Sequence, residues 1–220
     1  MTQQKKKQLP VWQESILLVA TAMVMAVVVK TFFLQAFYIP SESMEPTMLV
    51  DDKLLVQKVS YWRGDVTRGD IVVFDDPGGW LSGEASRRAS NPIQKALETV
   101  GLFPTGGHLI KRVIGVGGDE VVCCTDGKLT INGKQIDEPY VLDETATKDQ
   151  AFDIRVPKNH LWVMGDNRGN SSDSRAHLGD PGGGFISQGS VVGKAWLRVW
   201  PINRFGFIHK PDTFSANLAP

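Results

Sequence analysis

The chain has 220 residues, of which 42% are hydrophobic, 24 are basic and 24 are acidic. A domain usually takes about 100–200 residues, so this length predicts one catalytic-sized domain with a short appendage. The formal net charge of zero argues against a nucleic-acid partner, because cationic side chains supply most of the affinity for phosphates. Two cysteines are too few for a disulfide scaffold or for a zinc site made of cysteines alone.

The N-terminal segment has the pattern of a membrane anchor. Residues 1–10 carry three lysines and no acidic residue, and residues 11–38 are mainly apolar. The uncharged stretch 16–29 is short for a bilayer span of about 20 residues, but continuing it to Phe37 makes it long enough. A cleaved signal peptide and a buried soluble helix are the alternatives, and no A-x-A cleavage site follows the apolar run.

The position of the lysines predicts the orientation of this anchor. Positively charged flanks stay on the cytoplasmic side of a membrane. We therefore expect a cytoplasmic basic tail at 1–10, a single transmembrane anchor at 11–38, and an extracytoplasmic domain at 39–201 followed by a C-terminal tail at 202–220.

Most of the exterior domain shows strand patterns. Runs rich in β-branched and aromatic residues, separated by Gly and Asp clusters, predict strands at 53–59, 71–74, 109–116, 120–124, 161–164 and 191–200. Asn132-Gly133 between two short runs, 128–131 and 134–136, predicts a type I′ hairpin, since both central residues of that turn need positive φ. Helices and strands do not alternate, which argues against a parallel sheet. We expect a mainly β fold in which the single transmembrane helix precedes an antiparallel, β-barrel-like domain.

Residues 78–107 differ from this pattern and predict a small helical insertion. Asn91 can cap a helix that has Pro92 at its first position. Ile93, Leu97 and Val100 then fall on one helical face, which we expect to pack on the domain; contact with the membrane surface is the alternative.

Three segments of the exterior domain contain candidate chemistry, and the first is 39–48, directly after the anchor. It holds Ser41 and Ser43 between two prolines, which indicates a rigid, exposed turn. By composition alone, such a turn is typical of a linker.

The second segment is the strand 108–115, which carries Lys111. On a strand, Lys111 shares a face with the apolar Leu109 and Val113. It is either an edge-strand guard against aggregation or a buried amine with a lowered pKa. The difference is large, because an ordinary lysine is neutral in about one molecule in 800 at pH 7.5, whereas a pKa of about 8 makes about a quarter neutral. A neutral amine could take a proton from a serine hydroxyl without a histidine.

The third segment is 165–175, which is dense in hydrogen-bonding side chains. A calcium loop is one interpretation, but an EF-hand needs Glu at its twelfth position, which here is His177. A turn held by Asp–Arg pairs is the other interpretation, and it is compatible with a catalytic role.

Together these segments resemble the sequence boxes of the bacterial type I signal peptidase (leader peptidase) family. The matching stretches occur in the family's order and span roughly 39–201, which is far more specific than any single motif. They are 39–48, 68–74 (RGDIVVF), 109–119 (LIKRVIGVGGD), 161–175 (LWVMGDNRGNSSDSR) and 192–195 (VGKA).

The resemblance implies a Ser-Lys dyad. Ser43 is similar to the nucleophile and Lys111 to the general base, while the Ser41 hydroxyl and the Ser43 N–H would form the oxyanion hole. Ser171 matches the hydroxyl that orients the lysine amine. Four residues resemble the ionic pairs that hold the third segment against the Lys111 strand: Arg112, Asp166, Asp173 and Arg175. Four fall where the family lines its substrate pockets: Ile39, Met44, Leu109 and Ile110.

Some residues depart from the family pattern or suggest other chemistry. Glu42 stands where the family commonly has Gly, and Gly169 replaces a common acidic residue. A Ser-His-Asp site through His108 is disfavoured, because a residue three positions from Lys111 lies on the opposite strand face. Cys123 and Cys124 are expected to be buried thiols, with a vicinal disulfide as the alternative.

The family implies a membrane-anchored serine endopeptidase that removes signal peptides outside the cytoplasm, with no metal or organic cofactor. Its partners would be exported preproteins with small residues at −3 and −1, the lipid bilayer and the secretion machinery. Two alternatives remain at this stage: a self-cleaving Ser-Lys protease and a non-catalytic, membrane-anchored β-module.

Overall fold

The structure, a computed structural model, describes residues 10–61, 64–81, 107–125, 128–147, 150–215 and 218. The helix expected from Asn91 to Val100 lies outside these residues. The described part of the chain is one long N-terminal helix followed by antiparallel sheets, which confirms the expected fold class.

The N-terminal helix α1 spans Val11–Phe32. Its 19-residue stretch Val11–Val29 has a mean hydropathy of 1.8, and none of it is buried by the rest of the described protein. This stretch is long and apolar enough to cross a membrane, since a span takes about 20 residues.

The anchor was expected to extend to Tyr38, and the structure corrects this boundary. The helix ends at Phe32, and Leu34–Tyr38 form strand β1, which pairs antiparallel with β2 (Lys53–Gln57). The apolar residues of this segment therefore have strand partners for their backbone groups, so the segment belongs to the sheet and not to the anchor.

The described residues form twelve strands. The first is β1, and the others are β2 (Lys53–Gln57), β3 (Ile71–Asp75), β4 (His108–Val116), β5 (Glu120–Thr125), β6 (Lys128–Ile131), β7 (Lys134–Gln135), β8 (Phe152–Arg155), β9 (His160–Met164), β10 (Ile186–Ser187), β11 (Val191–Trp200) and β12 (Gly206–Phe207). Four of them, β1, β8, β10 and β12, were not expected from the sequence. The expected hairpin is present as β6 and β7, and Asn132 and Gly133 both have positive φ.

The strands form two antiparallel sheets. The larger has the order β1-β2-β11-β3-β4-β9-β10, with β12 added to β11, and the smaller has the order β7-β6-β5-β8. In the described pairings the larger sheet remains open between β1 and β10, so it is not a closed barrel. Strand β4, which carries Lys111, lies between β3 and β9.

The residues assigned to a C-terminal tail return to the domain. Phe214 and Leu218 are buried in the same cluster as Trp162 and Ile131. The side-chain amide of Asn132 also donates to the Leu218 carbonyl oxygen at 2.8 Å. This segment is therefore part of the packed core.

Strand β5 contains a correction to the cysteine expectation. Cys123 and Cys124 are joined as a vicinal disulfide, the alternative to the buried thiols that were expected. Adjacent residues of a regular strand point to opposite faces, but the register of β5 against β6 shifts between Val122 and Thr125. The regular alternation is interrupted there, and neighbouring side chains can meet.

We predict that Phe214→Ala lowers the free energy of unfolding by about 3–5 kcal/mol, because it removes a buried aromatic ring. Phe207→Ala is the matched control, since Phe207 is 58% exposed and its loss should change stability by less than about 0.5 kcal/mol. Urea unfolding of the detergent-solubilised chain measures both. Equal effects of the two substitutions would contradict the packing of the C-terminal segment.

Candidate active site

The two-serine segment forms a tight turn directly after β1. Ile39 is fixed by backbone hydrogen bonds with Asp51 and Asp52, and Glu42–Met44 form one turn of 3-10 helix. Met44 is completely buried and anchors this turn in the core, while Ser43 is 4% exposed. The segment is thus a positioned part of the domain and not a linker.

Lys111 lies in the middle of the larger sheet and reaches this turn. It is 4% exposed, and its Nζ donates a hydrogen bond to Ser43 Oγ at 2.6 Å. Strand β4 has neighbours on both sides, so Lys111 is not an edge-strand guard. The structure brings the two residues of the expected dyad into direct contact.

The surroundings of Lys111 favour the neutral amine. Burial is the largest effect and lowers the pKa of Lys111 to about 8, because desolvation penalises the ammonium. The negative charges of Asp173 and Asp166 oppose this shift, and the positive charge of Arg175 adds to it. A large fraction of the amine is therefore uncharged near pH 8 and able to accept a proton.

Ser41 lies next to Ser43 as expected for an oxyanion hole, but its hydroxyl is engaged. The Ser43 N–H donates to Ser41 Oγ at 3.2 Å, so the two groups bind each other. To donate jointly to a substrate oxygen, the Ser41 side chain has to turn out of this hydrogen bond.

Ser171 is close to the dyad without a hydrogen bond to Lys111. Its buried Oγ lies against the Asp173 carboxylate instead, and this contact helps to lower the pKa of Asp173. A Cβ added to Gly165 would lie 2.3 Å from this Oγ and 2.4 Å from the Ser43 carbonyl oxygen. Ser171 and the serine turn therefore meet over the same glycine, which leaves no room for a side chain there.

A buried pair joins the Lys111 strand to the loop at 165–175. Arg112, the residue after Lys111, donates to both carboxylate oxygens of Asp166 at 2.8 and 2.6 Å. The Thr47 hydroxyl also donates to Asp166, at 2.6 Å, and the Arg112 guanidinium lies 4.2 Å from the ring centre of Tyr140. These contacts tie the serine turn, β4 and the loop together.

A second buried pair holds the loop from within. Arg175 donates to both oxygens of Asp173 at 2.9 and 2.8 Å, and Asp173 accepts from the Gly165 N–H. Burial alone would raise the pKa of Asp173, but the hydrogen bonds and charge of Arg175 outweigh burial and hold this pKa below its ordinary value. Asp173 thus stays ionised.

Sequence reasoning missed a third pair, formed by Arg168 and Glu138. Two guanidinium nitrogens of Arg168 donate to the Glu138 carboxylate at 2.9 and 2.6 Å, and the Tyr140 hydroxyl donates to it at 2.6 Å. Glu138 follows the β6–β7 hairpin and belongs to no recognisable motif. The loop holds two arginines and two aspartates, and one of these aspartates is paired with Arg112 of β4. One arginine therefore needed a further acidic partner from outside the loop.

The four expected substrate-pocket residues divide between two faces. Ile39, Met44 and Ile110 contact one apolar cluster, whereas Leu109 is buried in another. Adjacent strand residues alternate in direction, which explains the separation of Leu109 from Ile110. His108 is the first residue of β4, where its Nε2 is 3.2 Å from Asp75, so it takes no part in the dyad.

Comparison with known proteins identifies the family. A family model described as "Signal peptidase, peptidase S26" matches residues 12–200. The chain belongs to this family. It is therefore a serine endopeptidase in class.

Curated relatives agree with this assignment. The chain is 39% identical to a signal peptidase I of Mycobacterium tuberculosis over 89% of its own length and 75% of the relative's. It is 38% identical to a probable signal peptidase I of Mycobacterium leprae, over 91% and 80% of the two chains. A signal peptidase I S of Bacillus subtilis is 30% identical over 90% of this chain and 93% of its own.

We predict that Gly165→Ala lowers peptidase kcat/KM by about a hundredfold, because its Cβ would displace Ser171 and the backbone of Ser43 by a fraction of an ångström or more. Gly206→Ala is the control, since a Cβ there meets no atom within 4 Å. The unfolding temperature of the same samples separates displacement of the dyad from loss of the fold. Full activity of a folded Gly165→Ala variant would contradict the described packing.

Proposed function

We propose that the protein is a membrane-anchored signal peptidase that cleaves exported preproteins with a Ser43 nucleophile and a Lys111 general base. The observation that carries the proposal is the 2.6 Å hydrogen bond between a buried lysine amine and a serine hydroxyl. Family membership supports removal of signal peptides as the reaction.

In the first step, neutral Lys111 takes the proton from the Ser43 hydroxyl while Ser43 Oγ attacks the scissile carbonyl carbon. The resulting ammonium then gives this proton to the leaving amine as the C–N bond breaks, which leaves an acyl-enzyme. In the second step Lys111 takes a proton from water while the water oxygen attacks the ester carbon. The bond between this carbon and Ser43 Oγ then breaks, and the Lys111 ammonium returns the proton to Ser43 Oγ. The signal peptide leaves as a carboxylic acid, which loses its proton to solvent.

The oxyanion hole of the proposal is the Ser43 N–H together with the Ser41 hydroxyl. Such a donor is worth about 2.7–4 kcal/mol of transition-state stabilisation. The Arg112–Asp166 and Arg175–Asp173 pairs act as positioning residues, because they fix the strand and the loop on either side of the dyad. Ser171, which packs over Gly165, would limit the positions that the Lys111 side chain can take.

The anchor supports a reaction at the membrane surface. Helix α1 ends at Phe32, and Ser43 is the eleventh residue after it. Exposed aromatic and aliphatic residues lie on β11, on β12 and between them: Trp200, Ile202, Phe205 and Phe207. Trp200 pairs with Lys53, which pairs with Tyr38 at the end of β1 that leads into the serine turn. Signal peptides occupy the same bilayer, so the anchor would raise the effective concentration of their cleavage sites at Ser43.

The substrate would add to the protein as an extended chain with small residues at −3 and −1. Ile39, Met44 and Ile110 contribute to one apolar cluster beside Ser43, and we assign the acyl side of the substrate to this cluster. Ile110 is the half-buried member, whereas Ile39 and Met44 lie beneath the surface at 2% and 0% exposure, so only small side chains suit this assignment.

We predict that Ser43→Ala and Lys111→Met each lower the kcat/KM of preprotein cleavage by at least about a thousandfold. Removing one member of a catalytic set costs about as much activity as removing all of them. Lys128→Met is the control, because Lys128 is an exposed lysine on β6. In the wild type, kcat/KM should rise about tenfold per pH unit below pH 8 and level off above it, because only the neutral amine with its pKa of about 8 accepts the proton.

Three results would contradict this proposal. Processing by Lys111→Met at the wild-type rate would favour a non-catalytic module. Cleavage of the protein's own chain with intact preprotein would favour a self-cleaving protease. A pH profile that falls between pH 6 and 8 would exclude the neutral lysine as the base.

A further inference from the structure

A cavity of about 320 Å³ lies beside the candidate active site, and Ser171 forms part of its wall. Ser171 Oγ and the Ser43 carbonyl oxygen both lie within 2.4 Å of the place that a Cβ on Gly165 would occupy. The cavity therefore lies next to the serine turn. A substrate bound at Ser43 would run close to the opening of the cavity.

The cavity lies apart from the residues assigned to the acyl side of the substrate. Ile39 and Met44 belong to the apolar cluster around β2, β3 and β11, whereas the cavity wall includes Phe152 of β8, which packs on Trp162 in a different cluster. For a substrate chain that runs from the first cluster across Ser43 toward the second, the residues beyond the scissile bond meet the cavity.

We propose that this cavity receives the side chain of the first residue of the mature protein, directly after the scissile bond. The inference rests on the proposed function, because it concerns the leaving-group side of the same cleavage. It makes the cavity a specificity determinant of the signal peptidase reaction.

The lining of the cavity suits an uncharged side chain, because polar and carbon surface contribute to it about equally. Ala151, Phe152, Ala176 and Leu178 supply the carbon surface. Arg175 also lines it, but its guanidinium is neutralised by Asp173 and bound to the Gln150 side chain at 2.8 Å. The wall thus carries polar groups without an unpaired charge among its described partners.

The Ser171 hydroxyl offers a polar contact beside the cavity. It lies against the Asp173 carboxylate, whose pKa it helps to lower. A hydroxyl that donates to a carboxylate keeps its oxygen available as an acceptor. A peptide whose first mature side chain enters the cavity would bring a backbone N–H past Ser171 Oγ and could donate to it.

The cavity wall is braced before substrate arrives. His177 lies between Ala176 and Leu178; its Nε2 is 3.0 Å from Ser172 Oγ and its Nδ1 is 2.6 Å from Asp180. The imidazole also stacks on Trp80 with ring centres 4.3 Å apart. These contacts hold the wall in place, and a preformed pocket binds without an ordering cost.

The test uses the detergent-solubilised full chain and preproteins that differ only in the first mature residue, which is Gly, Leu or Trp. Ala176→Leu fills the cavity and should lower kcat/KM for the Leu preprotein about tenfold relative to the Gly preprotein, as expected when an aliphatic side chain loses its pocket. Leu178→Ala enlarges the cavity and should shift the Trp-to-Gly ratio upward. Gln135→Leu, on the exposed strand β7, is the control and should leave both ratios at the wild-type value.

Ratios that change in opposite directions in the two cavity variants support the inference. Wild-type ratios in both variants, with cleavage intact, would overturn it and place the first mature residue in solvent. Failure of the wild type to cleave any of the preproteins would instead overturn the proposed function.

Discussion

The hydrogen bond between Lys111 Nζ and Ser43 Oγ is the interaction on which the rest of the structure depends. A lysine that is 4% exposed loses most of its hydration, and a shift of its pKa from 10.5 to about 8 corresponds to roughly 3 kcal/mol against the charged form. The fold keeps Lys111 in this environment because β4 lies between β3 and β9, and these neighbouring strands exclude water from both sides. A lysine on an edge strand would keep its solvent and its ordinary charge.

The charged groups around Lys111 are arranged so that they do not undo this effect. Asp166 and Asp173 would each stabilise the ammonium, but each is bound by an arginine through two hydrogen bonds. Because these carboxylates are already paired, burial remains the dominant influence on the pKa of Lys111. The same arginine pairs position the loop at 165–175, so one set of contacts supports both the geometry and the electrostatics of the proposed reaction.

Much of the fold was predictable from the sequence, because strands β2 to β7, β9 and β11 show local patterns of β-branched residues and turns. The end of the anchor was not predictable, since Leu34–Tyr38 are as apolar as a membrane segment and only their pairing with β2 marks them as a strand. The environment of Lys111 was not predictable either. The local sequence of a strand does not show whether it lies at the edge or in the middle of a sheet, because tertiary contacts set the strand order. Composition alone favoured a linker for the serine turn, and the family resemblance brought Ser43 and Lys111 together. Glu138 was missed because its partner, Arg168, is distant in sequence and no motif connects them.

The protonation of Lys111 can be measured directly by NMR of the full chain with ¹³C-labelled lysine side chains, using Lys111→Met to assign the Lys111 signal. We predict that this signal titrates with a pKa of about 8, well below the pKa of about 10.4 of a free lysine side chain. Titration of Lys111 at the pKa of a free lysine would contradict the account, because an amine that is charged throughout the neutral range cannot take the proton from Ser43.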